Sequence, residues 1–410
     1  MDNRKCRFCG HELTTTFVDL GLAPLSNEYI QEKDRQKGQQ FYPLVVKVCE
    51  HCKLVQALEF EKPENIFTDY KYFSSFSKSW LDHCKEYVDM IINRLNLSAS
   101  SNVVEIACND GYLLQFFKPY GIPAYGIEPA ANVAREAQKK GIDVVVEFFS
   151  DKIVPKLLKK SGKADLIIGN NVLAHVPDIN SFVEGMHLLL KKSGTITMEF
   201  PHLLKLIQYN QFDTIYHEHF SYLSLLAANR IFQAHGLKIY HVEELNTHGG
   251  SLRIYATQAD NDSISVNQSV NNILHEEIKF GLEKMEVYTA FHDRVKKIKR
   301  DSVRELSDII DKGCKIAAFG AAAKGNTFLN YCGIGRDFID FVVDSNVHKQ
   351  GLYLPGTCIP IVDISMLSKA KPDYILILPW NLKDEISDIL SFTREWGCKL
   401  ITCIPEFKVF

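Results

Sequence analysis

The alternation of apolar runs and helical periods between residues 102 and 201 constrains this chain more than any other feature. NVVEIACNDG reads as a buried strand entering a tight turn, and YLLQFFKPY after it as a helix. IPAYGIEPA is a second strand, and ANVAREAQKKG a second helix stopped by Gly141. VVVEFF, ADLIIGNNV and GTITMEFP supply the third, fourth and fifth strands. This order predicts an α/β fold with a parallel doubly wound sheet, since each parallel pair needs a crossover long enough for a helix. Ligands of such sheets bind beyond the carboxyl ends of the strands, near the switch in strand order.

The residues at those ends argue for a particular kind of ligand. Glu105-Ile-Ala-Cys-Asn-Asp-Gly111 stands where a glycine-rich first loop is expected, with Ala107 and Asn109 in the place of two glycines and only Gly111 retained. A phosphate cradle wants bare backbone at a helix N-terminus. Here Glu105 and Asp110 would repel a pyrophosphate, whereas a cationic amino-acid cofactor such as S-adenosylmethionine carries an ammonium group and no phosphate. Glu128, 23 residues after Glu105, ends the second strand and is placed to take two ribose hydroxyls. The bland reading of Glu128 is a solvated carboxylate before a turn. Asn170 and Asn171 follow the fourth strand, where an amide or the backbone suits the methionine end.

Eleven cysteines, an odd number, argue against a complete disulfide framework. Four of them form two tight pairs, Cys6-x-x-Cys9 and Cys49-x-x-Cys52, and such turns aim four thiolates at one metal. A tetrahedral sulfur shell suits zinc and leaves no open position for water, so the expectation is a structural Zn²⁺. A redox C-x-x-C centre normally needs one pair. KGQQFYPLVVKVCEHCKLVQ reads as a hairpin carrying the second knuckle. His11 and His51 read as surface histidines, and the remaining cysteines as small buried hydrophobes.

At 410 residues the chain exceeds one ordinary core. Its 47 basic and 50 acidic residues nearly balance, so nucleic acid is not an expected partner. No apolar run is long enough to cross a bilayer, and the N-terminus has no secretory pattern, so the expectation is a cytoplasmic protein without a membrane partner.

SKSWLDHCKEYVDMIINRLNL, before the first strand, has helical periodicity. Residues 263–312 read as a packed amphipathic helix pair. Lys315-Ile-Ala-Ala-Phe-Gly320 then runs as a strand into Ala-Ala-Ala-Lys324-Gly325-Asn326-Thr327, and later strands end at Asp344 and at Trp380-Asn381. This is a second Rossmann-like unit without the G-x-G-x-x-G fingerprint, although small residues and a lysine at a helix start suit a diphosphate.

Glu-Ile-Ala-Cys-Asn-Asp-Gly, Gly-Ile-Glu-Pro and Asn-Asn-Val-Leu-Ala-His-Val-Pro-Asp together resemble class I methyltransferases. With the four-cysteine module, Asp69-Tyr70-Lys71-Tyr72-Phe73-Ser74-Ser75 and Tyr216-His217-Glu218-His219-Phe220-Ser221-Tyr222, the resemblance narrows. The chain looks like the 3-C-methyltransferases of nucleotide-linked deoxysugars, along essentially its whole length. The resemblance implies a zinc module over 1–70, a methyltransferase domain over 71–245 and a C-terminal nucleotide-sugar domain over 246–410. It implies an active site between the last two, a dTDP-linked 4-keto-2,6-dideoxy sugar as small-molecule substrate, and Lys324 and Asn326 as substrate contacts. One polypeptide holds every piece, so a monomer is expected.

Methylating carbon requires a carbanion, and a ketone on the adjacent carbon makes one accessible as an enolate. The enzyme needs a base, an oxyanion partner and an aligned methyl donor. The resemblance places the base at His219, whose side-chain type accepts protons near neutrality. Glu218 and Tyr216 are its companions, Tyr70 closes the site, and His175 faces the same crevice. If His-Glu-His lay on a strand, His217 and His219 would share a face, which raises a second zinc site; the plainer reading of His217 is structural. Gly249-Gly250-Ser251 with Arg253 is a further candidate substrate loop. His187 and His202 have no evident role. Two rivals remain: transfer to another sugar or to oxygen or nitrogen, and a non-catalytic zinc protein that binds nucleotide sugars.

Overall fold

The computed structural model describes residues 3–61 and 73–410. The chain divides into two compact units, each assembled from three stretches. The first takes Met1–Thr14, Cys49–Leu203 and Phe220–Glu283; the second takes Thr15–Val48, Leu204–His219 and Lys284–Phe410.

The first unit is built on seven strands: β1 (Val103–Ile106), β2 (Ala124–Ile127), β3 (Asp143–Val145), β4 (Ala164–Asn170), β5 (Leu190–Pro201), β6 (Leu237–Leu245) and β7 (Ser251–Gln258). Their spatial order is β6-β7-β5-β4-β1-β2-β3, so the winding direction switches between β1 and β4. Strands β1 to β5 run parallel, as expected. The antiparallel β6 and β7 extend the sheet beyond the five strands read from the sequence. Val104, Ile106 and Ile167 enter one apolar cluster, and Val103, Leu166 and Ile168 another. Alternate residues of unbroken apolar runs thus bury both sheet faces, which is why these strands lack polar alternation.

Helix α1 (Lys78–Leu95) starts where Ser77 Oγ accepts from Trp80 N, and it stops at Asn96 in the left-handed region. The expected helix over YLLQFFKPY is instead two short 3-10 turns, Leu114–Phe116 and Lys118–Tyr120. Pro119 has no N–H to continue an α ladder, and Gly121 at φ +64° closes the segment. The third strand is also shorter than VVVEFF, ending at Val145.

His202, without a role in the sequence reading, proves structural. Its Nε2 lies 2.7 Å from Glu277 Oε1, and both side chains are buried. Glu277, on α3 (Gln268–Phe280), also accepts from the N–H groups of Leu225 and Leu226 at the start of α2 (Leu225–Ala234). A buried carboxylate therefore satisfies donors that the first turn of a helix leaves unpaired.

The second unit holds a six-stranded sheet: β8 (Ile316–Phe319), β9 (Val342–Val343), β10 (Ile361–Val362), β11 (Tyr374–Ile377), β12 (Lys399–Thr402) and β13 (Lys408–Val409). The order is β10-β9-β8-β11-β12-β13, parallel except for the last strand, which is the Rossmann-like arrangement expected. The helical run 263–312 breaks at Gly281 (φ +106°) into α3 and α4 (Met285–Asp311). The two helices belong to different units. An antiparallel hairpin, Thr15–Ala23 with Tyr42–Val48, leans on α4 through Phe17, which stacks on Phe291 at 4.5 Å.

Candidate active site

The four-cysteine module has two knuckles of matching build. Cys6 N donates to His11 O and Gly10 N to Cys6 O; Cys49 N donates to Leu54 O and Lys53 N to Cys49 O. Gly10 (φ +74°) and Lys53 (φ +64°) both turn in the left-handed region just after the second cysteine. The turns bring all four sulfurs within 4.8 Å of one another, with Cys6–Cys52 and Cys9–Cys49 each at 3.5 Å. Sulfurs around zinc at ~2.3 Å lie about 3.8 Å apart at the corners of a tetrahedron, so the donor set fits the ion. Cys6, Cys49, Cys52 and Leu54 are buried in the same apolar cluster as β1 and β4. His11 and His51 are exposed and stack on each other at 3.9 Å, beside Cys9.

At the carboxyl end of β1, Ala107 (φ +60°), Asn109 (φ +49°) and Gly111 (φ +77°) all adopt the left-handed conformation. The loop therefore keeps the backbone path of a three-glycine turn with a single glycine. Gly111 is required by space as well, because a Cβ there would sit 2.2 Å from Ile142 Cδ1. Asn109 earns its place with hydrogen bonds: its N–H donates to Glu128 Oε2 (3.0 Å), and its Oδ1 accepts from Ser74 N (2.9 Å). Ala130 N donates to the other oxygen of Glu128 at 2.9 Å. Burial pushes the Glu128 carboxyl up to about 7, and the two N–H donors pull against that rise.

Glu105 is wholly buried at the end of β1, and Tyr112 is its hydrogen-bonding neighbour. Burial raises its pKa well above the usual range, a hydrogen-bonding interaction with Tyr112 pulls against the rise, and the Glu128 and Asp110 charges add to it. A wholly buried carboxylate is costly, and an incoming ammonium group relieves it. The Asn170 Nδ2 and Asn171 Oδ1 atoms are buried without partners among the described residues, which leaves an amide donor and an acceptor at the end of β4. These residues fit an amino-acid cofactor with a ribose. His175 lies in the turn Leu173–His175 just beyond β4. Asp110 is tied instead to Lys140, at 3.3 Å.

A polar network unannounced by any motif stands at the ends of β5 and β7. Glu199 accepts from Arg253 (2.9 Å) and Thr247 (2.9 Å), and His83 Nε2 lies 3.0 Å away. Burial alone would raise the Glu199 carboxyl, but His83 and Arg253 hold it down at about 2. Arg253 is thus engaged in an ion pair within the sheet. Asn171 N donates to Glu199 O, and Asn171 Nδ2 lies 3.0 Å from His248 Nε2. The only sequence signal was a set of charged residues in otherwise apolar strands.

In the second unit, the stretch before Tyr216 is anchored on the C-terminal sheet's helix α5 (Ala323–Cys332). Phe212 packs against Phe328 and Tyr331, Thr327 Oγ1 donates to Ile215 O, and Trp380 Nε1 donates to Asp213 Oδ2 at 2.7 Å. Tyr216 to Phe220 forms a turn, not the strand on which a shared face for His217 and His219 depended. His217 instead bonds Pro43 O through Nε2, and burial lowers its pKa. Four-cysteine and Cys9–His11–His51 groups are the metal-compatible clusters among the described residues, and His217 and His219 are in neither.

His219 has the geometry of a base. Its Nδ1 is 2.8 Å from Thr214 O, which can only accept, so Nδ1 carries the hydrogen. Nε2 is then the bare nitrogen, and the Tyr216 hydroxyl donates to it at 2.8 Å. Glu218 is buried and accepts from Asn27 Nδ2 at 2.7 Å. Lys324 Nζ donates to Asn381 Oδ1 (2.6 Å) and lies over the Trp380 ring, while Asn326 is buried and bonded to Asn330. Tyr70 lies outside the described residues.

Three family models match in chain order: a zinc binding domain over residues 6–67, a methyltransferase domain over 80–242, and a C-methyltransferase C-terminal domain over 246–405. C-methyltransferase NovU of Streptomyces niveus is 35% identical over 406 residues, 99% of this chain and 96% of that protein. The chain belongs to this C-methyltransferase family. A ubiquinone biosynthesis O-methyltransferase of Bordetella avium is 26% identical over 136 residues, 30% of this chain and 56% of that protein. The solved structure of PH0226 from Pyrococcus horikoshii covers 48% of this chain and 99% of its own, at 14% identity and a TM-score of 0.37.

This C-methyltransferase is an α/β protein of the class I fold with an N-terminal zinc-binding module, and its cofactor is S-adenosylmethionine. When bound, that cofactor supplies an electrophilic methyl group on a sulfonium. Among the described residues no helix is long and apolar enough to cross a membrane.

Proposed function

We propose that this C-methyltransferase acts at C-3 of a dTDP-linked 4-keto deoxysugar, through an enolate generated by His219. The observation that carries the reading is the fixed tautomer of His219, with Nδ1–H on Thr214 O and a bare Nε2 facing the Tyr216 hydroxyl. His219 Nε2 takes the C-3 proton as the Tyr216 hydroxyl turns its one hydrogen from Nε2 to the developing oxyanion, and Glu218 orients the pair. Tyr70 and His175 are assigned to the acceptor. Glu105, Asn170 and Asn171 hold the amino-acid end of the cofactor, Glu128 its ribose, and the Ala107–Gly111 turn its close backbone approach. Lys324 and Asn326 serve the diphosphate side of the substrate. Functionally the chain divides into 1–70, 71–245 and 246–410, and it works as a cytoplasmic monomer.

The test is incubation with S-adenosylmethionine and a dTDP-4-keto-2,6-dideoxy sugar deuterated at C-3. The expected result is a product heavier by one methyl group, with the deuterium lost to solvent. A methylated product that keeps the deuterium sinks the enolate, and methylation at oxygen or nitrogen sinks the C-3 assignment.

Cofactor affinity is expected to depend on pH through Glu128. Its folded pKa of about 7 is raised, so in the free protein its ionisation costs stability above pH 7, and that cost fades as pH falls. The ionised carboxylate is the form that accepts ribose hydroxyls. The Kd for S-adenosylmethionine should therefore rise as pH falls below 7, approaching about tenfold per pH unit for a single linked proton. Calorimetric titrations between pH 5.5 and 8.5 read the slope, and Glu128→Gln should flatten it; a flat profile in the unaltered protein removes Glu128 from the ribose.

A further inference from the structure

We propose that Asn27 is a positioning residue for methyl transfer, acting through Glu218. The inference rests on the reading of Tyr216, Glu218 and His219 given above. Glu218 comes from the turn that carries His219, and its side chain is 2% exposed. A carboxylate taken out of water must be matched by donors or it becomes protonated or swings away. Asn27 supplies one, with Nδ2 at 2.7 Å from Oε1, across 191 residues of sequence.

The donor is itself held in place. Only the amide nitrogen can face a carboxylate, since the amide oxygen there would be repelled. Tyr29, two residues on, is buried and donates its hydroxyl to Ala321 O at 2.7 Å, and the Tyr29 hydroxyl oxygen lies 3.4 Å from Asn27 Oδ1. Lys349 donates to the same Ala321 carbonyl at 2.8 Å and lies over the Tyr29 ring. Ile30 exchanges both backbone hydrogen bonds with Tyr353, at 2.9 Å each. Residues 27–30 are thus pinned to the loops that follow β8 and β9, so Asn27 offers a preorganised hydrogen bond.

The choice of an amide has a chemical reason. A lysine or arginine in this place would satisfy Glu218 and cancel its charge. A neutral amide satisfies one oxygen by donating to Oε1 and brings no charge of its own to the turn that carries Tyr216 and His219. Asn27 therefore governs where Glu218 points.

The experiment is a double-substitution cycle on the full zinc-loaded chain. It measures S-adenosylhomocysteine release with the dTDP-4-keto-2,6-dideoxy sugar as acceptor. Asn27→Ala is expected to lower kcat about tenfold while KM for both substrates stays within about twofold. In a Glu218→Gln background the same change should cost less than about twofold, because the group it acts through is already altered. An unchanged kcat in Asn27→Ala, or a loss that multiplies in full in the double variant, overturns the proposal. Asn27→Asp keeps the shape and puts a second carboxylate against Glu218. It should cost at least as much kcat as alanine, whereas a merely structural amide predicts the milder effect, and it stands in if alanine disturbs folding. Wild-type turnover in Glu218→Gln alone would refute the role of Glu218, a failure separate from that of Asn27.

Discussion

His219→Asn lowers kcat by about 10²–10⁴-fold and leaves S-adenosylmethionine binding unchanged: this is the expected result of removing the base. Asparagine can occupy the turn and bond to Thr214 O, but its amide takes up no proton at any working pH. The Tyr216 hydroxyl, which now donates to Nε2 at 2.8 Å, would face an amide in place of a basic nitrogen. The loss should fall on kcat with little change in KM, since proton abstraction contributes to the transition state and not to ground-state binding. Single-turnover rates with calorimetric cofactor binding separate the two effects. Turnover within about threefold of the unaltered protein would reassign the base, and Tyr216 would be the next residue to replace.

Removing the metal should have the largest effect on stability. Four-thiolate zinc sites contribute on the order of 10 kcal/mol of binding free energy, which is folding free energy for the segment they organise. Here the segment is not peripheral. Cys6, Cys49, Cys52 and Leu54 lie in one apolar cluster with Ile106 and Ile167 of the methyltransferase sheet. Cys49→Ser, or a strong chelator, should therefore release close to one zinc per chain and lower the melting temperature of the sheet as well as the module. Zinc content by mass spectrometry, with thermal melts followed by calorimetry, reads both. A zinc-free chain with an unshifted melt would show that the module is stapled to nothing.

Several features were legible from residue order because they are local. The Cys6–Cys9 and Cys49–Cys52 spacings imposed matching knuckles, and the apolar runs at 103–106 and 164–170 became central parallel strands. The odd loop Glu105–Gly111 kept its three left-handed positions even with alanine and asparagine at two of them. Other expectations failed for identifiable reasons. YLLQFFKPY has helical periodicity, yet Pro119 and the short span between strands allow only 3-10 turns. The second zinc site, which required His-Glu-His to lie on a strand, is excluded because the backbone folds back so that His219 N donates to Tyr216 O, in keeping with the structural reading of His217.

Residue types and their spacing thus determined the zinc ligands, the doubly wound sheet and the acidic cofactor loop, since each depends on neighbours close along the chain. Only the tertiary structure decided the environment of the functional side chains. It buried Glu105 wholly, held Glu199 against Arg253 and His83, and brought Asn27 to Glu218. Those pairings cross between 54 and 191 residues of chain, and one amide or carboxylate looks like any other until folding excludes water and brings particular partners to it.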